Sequence, residues 1–117
     1  MRRFLAALVL LTTLAVPAHA TDYLSGISDL PLPAGLVEAK DKSTVFDSAV
    51  GRVVTAYASG PGTADSVHDF YDDTLPQLGW KETDEGNWRR DKQTLKIDVL
   101  GPEAGPVTAT FTLSSDN

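Results

Sequence analysis

The chain contains no cysteine. A disulfide framework, a thiolate metal site and covalent haem attachment are therefore all excluded. So is lipid modification at a cysteine after an export signal. Beyond the first twenty residues no apolar run is long enough to span a bilayer, so no membrane anchor is expected there. No internal repeat and no coiled-coil heptad is present. The Gly-x-Ser-x-Gly elbow of serine hydrolases is missing. Basic residues are scarce: 10 Lys and Arg stand against 16 Asp and Glu. Such an acidic chain is repelled by nucleic acid and by anionic lipid surfaces, and neither is an expected partner.

What is present begins with an export signal. Met1-Arg2-Arg3 is a positive start, and Phe4 to Val16 is apolar except for Thr12 and Thr13. Pro17-Ala18-His19-Ala20 supplies a helix breaker and small residues at Ala18 and Ala20, the pattern that signal peptidase cleaves. Residues 1–20 are read as a signal peptide and Thr21 as the start of the mature chain. Phe4 directly follows the twin arginines and the apolar core is strong, which favours general secretion over export in a folded state. The product is expected in the periplasm or secreted. Removing the signal leaves 97 residues, with eight basic and 16 acidic side chains and a net charge of −8. That length suits one small domain, burying roughly 60–70% of its unfolded surface. The charge by itself serves solubility.

Residues 21–35 read as an extended arm. Pro31 and Pro33 in Asp29-Leu30-Pro31-Leu32-Pro33 favour polyproline II and oppose helix, as in a terminal segment laid over a domain. Residues 36–117 read as a single α+β domain. Thr44 to Ser48 and Arg52 to Ala58 are rich in β-branched and aromatic residues around Ala49-Val50-Gly51, which predicts a hairpin. Leu36 to Ala39 either adds an earlier strand or begins the first one. Ser59-Gly60-Pro61-Gly62 ends the hairpin. Thr63 then reads as a helix N-cap, followed by Val67, Phe70, Tyr71, Thr74, Leu75 and Leu78 at helical spacing. Pro76 kinks the last turn, and Gly79 closes the helix with Trp80 folding back on Leu75. Beyond it, Trp80 to Thr83 and Asn87 to Asp91 flank an Asp84-Glu85-Gly86 turn. Thr94 to Leu100 and Val107 to Ser114 alternate in polarity. In the last, Val107, Ala109, Phe111 and Leu113 take one face, while Thr108, Thr110, Thr112 and Ser114 take the other. The expected order is strand–strand–helix–strand–strand–strand: one antiparallel sheet with one helix packed on one face. The opposite face would be open, lined by threonine and charge. Were the threonine strand at an edge, its backbone would also be free for a partner strand.

Phe46-Asp47-Ser48, Gly51-Arg52, Phe70-Tyr71, Leu75-Pro76, Leu78-Gly79-Trp80 and Arg90 together form a pattern. It resembles that of small uncharacterised exported proteins of alphaproteobacteria over roughly residues 30–114, and most specifically over Phe70 to Trp80. The resemblance implies location and fold and assigns no activity. The order of elements is also similar, more loosely, to helix-grip domains such as those of an outer-membrane assembly lipoprotein.

Few residues suggest chemistry. His68 would be the only histidine of the mature chain, with Asp65 and Asp72 on the same helix face. This trio is of a kind that binds a divalent metal weakly or poises an imidazole, and a hydrolase or metal enzyme using His68 is one reading. The plain alternative is a solvated helix face, and a closed zinc site needs more ligands. Gly60-Pro61-Gly62-Thr63 leads into a helix N-terminus, yet it lacks the lysine and spacing of a phosphate loop, and Pro61 has no N–H. It reads as strand-to-helix punctuation. Asp47 and Arg52 read as a cross-strand pair. Trp88-Arg89-Arg90, with Lys92 and Lys96, is the main basic region, and Trp88 and Arg90 share a face that Arg89 does not. One arginine is suited to stack on tryptophan within the fold. Trp and Arg are also the commonest anchors of protein interfaces. The candidate partner-binding residues are thus Trp88, Arg89, Arg90, Thr108, Thr110 and Thr112. No catalytic, cofactor or metal residue is assigned. The leading expectation is a non-catalytic accessory or binding module of the bacterial cell envelope, with an envelope protein as partner. A small-molecule carrier, with a pocket among Phe70, Leu75, Ile97, Val99 and Phe111, is the alternative.

Overall fold

The computed structural model describes residues 22–27 and 29–116; the expected signal peptide, with Arg2, Arg3 and His19, lies outside them. Seven strands form a single antiparallel sheet: Val37–Glu38 (β1), Thr44–Ser48 (β2), Gly51–Gly60 (β3), Lys81–Asp84 (β4), Asn87–Arg90 (β5), Gln93–Leu100 (β6) and Val107–Asp116 (β7). Among the described residues the one α-helix, Ala64–Thr74 (α1), separates β3 from β4. The α+β class with one helix on a sheet is as expected. The expected order counted three strands after the helix, but all four segments read there form strands, and Leu36 to Ala39 yields a short strand of its own.

Local chemistry explains the boundaries of α1. The Thr63 hydroxyl accepts from the Ser66 amide at 3.1 Å and the Ser66 hydroxyl accepts from the Thr63 amide at 3.0 Å, a reciprocal cap. At the other end Pro76 has no amide to continue the ladder, and Leu75–Leu78 tightens into a 3-10 turn. Gly79 then takes a φ of 89°, left-handed space that costs glycine little, and the Trp80 amide donates to the Leu75 carbonyl at 3.0 Å.

The sheet order is β1-β3-β7-β6-β5-β4, with β2 pairing β3 along the same side as β1. Hairpins join β2 to β3 and carry the chain through β4, β5, β6 and β7. The last of these returns to β3 over ten residue pairs, Gly51↔Asp116 through Gly60↔Val107. β7 is therefore an interior strand. Its backbone is bonded on both sides, so the threonine strand offers no edge to a partner. Among the described strands the edges belong to β1 and β2 on one side and β4 on the other.

One face of the sheet is buried. Val54, Ala56 and Ala58 of β3, Val107, Ala109, Phe111 and Leu113 of β7, Leu95 and Ile97 of β6, and Trp88 of β5 all point into it. α1 lies over β6 and β7, where the Tyr71 ring meets Phe111 edge-to-face at 5.6 Å between centroids. The proline-containing segment covers β3. Leu24, Ile27, Leu30 and Leu32 are all buried in the same core, and Gly26 passes so close that a Cβ there would sit 3.1 Å from Val54 Cγ1. Polar links tie this segment down, among them the Ser25 amide and hydroxyl, which both donate to Glu38 Oε1 of β1 at 2.8 and 3.0 Å. The Tyr71 hydroxyl donates to the Pro31 carbonyl at 2.8 Å, and Asp29 pairs with Arg90 at 2.7 Å.

Candidate functional site: the open face of the sheet

No element covers the second face among the described residues, and its side chains follow from strand parity and register. A row crosses six strands through Phe46, Val53, Ser114, Thr94, Arg89 and Lys81. Beside it runs Thr44, Thr55, Thr112, Lys96, Asn87 and Asp84. Next come Tyr57, Thr110 and Asp98, and then Val37, Ser59, Thr108 and Leu100. The face is thus graded. Apolar side chains gather at the β2 side, where Phe46 is 67% exposed. Hydroxyls fill the centre. Lys81 and Arg89 stand at the β4–β5 side, with Asp84 in the next row. Thr108, Thr110 and Thr112 occupy this face as their alternation predicts, with Phe111 and its partners on the other.

The basic cluster is divided by the same parity. Trp88 is buried in the core. Arg90 points to the covered face, where its guanidinium lies 4.3 Å above the Trp80 ring. It also donates to the Leu78 carbonyl at 3.0 Å and to Gln93 Oε1 at 3.1 Å, and pairs with Asp29. These partners make Arg90 a clamp between the N-terminal segment, the end of the helix and the sheet. Arg89 alone of the three reaches the open face, with one long bond to the Thr94 hydroxyl at 3.4 Å. Lys81, directly opposite Arg89, is the cation that sequence reasoning missed. Its place on the same face depends on strand pairing, and nothing local signals it. Phe46 was legible only as part of a family-like pattern, not as an exposed apolar end of this surface.

Asp84 and Asp98 share the open face with these cations, whereas Glu82 lies on the other side of the β4 edge. Glu82 shares the covered face with Trp88, near Asp72 and His68 of α1 and Glu85 of the following turn. Its carboxyl is pushed above the ordinary range, first by partial desolvation, then by the charge and hydrogen bonding of Asp72 and by Glu85, while His68 pulls it down. Among the described residues no group of three or more His, Asp or Glu is placed to hold a metal ion. At the start of α1 the Thr63 and Ser66 amides are engaged in the reciprocal cap. Asp47 and Arg52 pair across the first hairpin at 3.6 Å and are well exposed. The proposed carrier pocket falls inside the packed core. Leu75, Ile97 and Phe111 are buried there in one cluster, with Phe70 and Val99 packed against it.

Comparison with protein-family models, with curated proteins and with solved structures gives no match. The open face must therefore be read from its own chemistry.

Proposed function

We propose that this chain is a non-catalytic exported module of the bacterial cell envelope, and that it binds a partner protein through the open face of its sheet. One observation carries the reading. A seven-stranded sheet is buried on one side by a helix and an N-terminal segment and, among the described residues, left bare on the other, across an array of apolar, hydroxyl and charged side chains. Tyr57, Phe46 and Arg89 on that face belong to the residue types that anchor interfaces. The signal-like first twenty residues support export, as does the resemblance to exported proteins of alphaproteobacteria. The test is a photo-crosslinking residue at Thr110, at the centre of the face, with Asp73 on α1 as control, in living cells. A specific envelope adduct at Thr110 and none at Asp73 is expected. Repeated absence of any adduct at Thr110 and at Thr112 would remove the basis of the reading.

A further inference from the structure

We infer that the segment recognised by the open face is an extended peptide, acidic at one end and apolar at the other, lying across the strands; this deepens, and rests on, the binding role proposed above. The Phe46-to-Lys81 row spans five strand spacings, about 24 Å at the usual separation of ~4.8 Å. An extended peptide of about seven residues has that length. The two ends of the row differ in chemistry. At one end Phe46 and Val53 face each other in register and are both exposed. At the other, Arg89 and Lys81 are directly opposite, and like charges so placed repel. Neither cation has an ion pair among the described residues.

No carboxylate is ion-paired with either cation among the described residues, although Asp84 stands on the same face in the adjacent row. Glu82 belongs to the covered face, and Asp98, two rows away, lies against Lys96 at 3.8 Å. A partner carboxylate between Lys81 and Arg89 neutralises both and forms charge-assisted hydrogen bonds, bidentate with the arginine. A cleft of about 720 Å³ opens beside them, with Lys81, Arg89 and Arg90 in its wall together with Glu82 and Asp91, so the partner carboxylate is placed on the Lys81–Arg89 side of it. Midway along the row, Ser114 and Thr94 present hydroxyls, and Thr112 and Thr55 flank them. A hydroxyl both donates and accepts, so it matches the amides and carbonyls of a peptide backbone whatever its sequence. The β4 edge itself is a poor template for strand addition. It is short, charged and carries a register shift at Glu82/Asp84, devices that discourage edge pairing. The face, not the edge, is the recognition surface.

The probe is a displayed library of short random peptides, selected on the purified mature protein. Peptides with Asp or Glu clustered at one end and Leu, Phe or Trp at the other should be enriched. Their binding should weaken with added salt and fall about tenfold or more in the Lys81→Gln/Arg89→Gln double variant. Phe46→Ser should weaken the same peptides. Both cations are exposed, so the double variant should melt within a degree or so of the parent, as surface substitutions usually do. Enriched peptides without acids, no enrichment, or equal affinity for the double variant would each overturn the inference. So would binding to anionic lipid vesicles in place of peptides. A Thr110 adduct in cells combined with any of those results would overturn this inference alone and leave the binding role standing.

Discussion

Replacing Phe111 by alanine removes the largest side chain at the centre of the sheet. Phe111 is fully buried, stands in register between Ala56 and Ile97, and carries the Tyr71 ring on its free side. Ala56 is too small to fill the gap, and Tyr71 is held in place by its bond to the Pro31 carbonyl. The cavity should therefore stay largely open. Loss of burial plus an uncollapsed cavity gives about 3–5 kcal/mol for such a Phe→Ala change. Domains of this size are stable by only about 5–15 kcal/mol, so a third or more of the stability is at stake. At roughly 4–8 °C per kcal/mol, the melting temperature should fall by about 12 °C or more. Thr110, the next residue, faces the open side between Tyr57 and Asp98, and Thr110→Ala should change stability by less than about 0.5 kcal/mol. Urea titration followed by tryptophan emission measures both, because Trp80 and Trp88 are each buried and report global unfolding. Similar losses for the two variants would refute the assignment of faces, and the proposed binding surface with it.

Tyr71→Phe keeps the aromatic packing but leaves the Pro31 carbonyl without its donor, and should cost about 1–3 kcal/mol by denaturant titration. Burial already holds the Tyr71 phenol well above its ordinary range, so no ionisation of this group should be seen by ultraviolet titration before the protein unfolds in alkali. Arg90→Ala breaks the clamp on Asp29 and Leu78, and limited proteolysis should then cut within residues 22–36 before it touches the sheet. Arg90→Lys should restore little, since an ammonium cannot supply the guanidinium fork or its stacking on Trp80. Glu82 holds its proton more tightly folded than unfolded, so its contribution is present below the unfolded pKa and is lost as pH rises through the folded one. Glu82→Gln should accordingly raise the melting temperature near about pH 7 and leave it unchanged near about pH 3, where glutamate is protonated in both states. A rise that persists at the lower pH would rule out charge crowding with Asp72 and Glu85 as its cause.

Local features were legible wherever the physics is local. The Thr63 cap, the Pro76 distortion and the left-handed Gly79 follow from backbone chemistry within a few residues, and each is where the sequence predicts. Alternation likewise separated Phe111 from Thr110 and Arg89 from Arg90, because a strand turns each successive side chain to the opposite face. Alternation does not say which strands become neighbours, or which face is covered. The return of β7 to β3 over ten residue pairs placed the threonine strand inside the sheet rather than at its edge. The N-terminal segment was extended by its prolines, but only docking over β3 made Leu24, Ile27, Leu30 and Leu32 part of the core. The row from Phe46 to Lys81 joins six strands whose members lie up to 68 positions apart along the chain, from position 46 to position 114. Its order depends on long-range pairing, which the hydrophobic effect selects by closing one core, and no run of neighbouring residues encodes it.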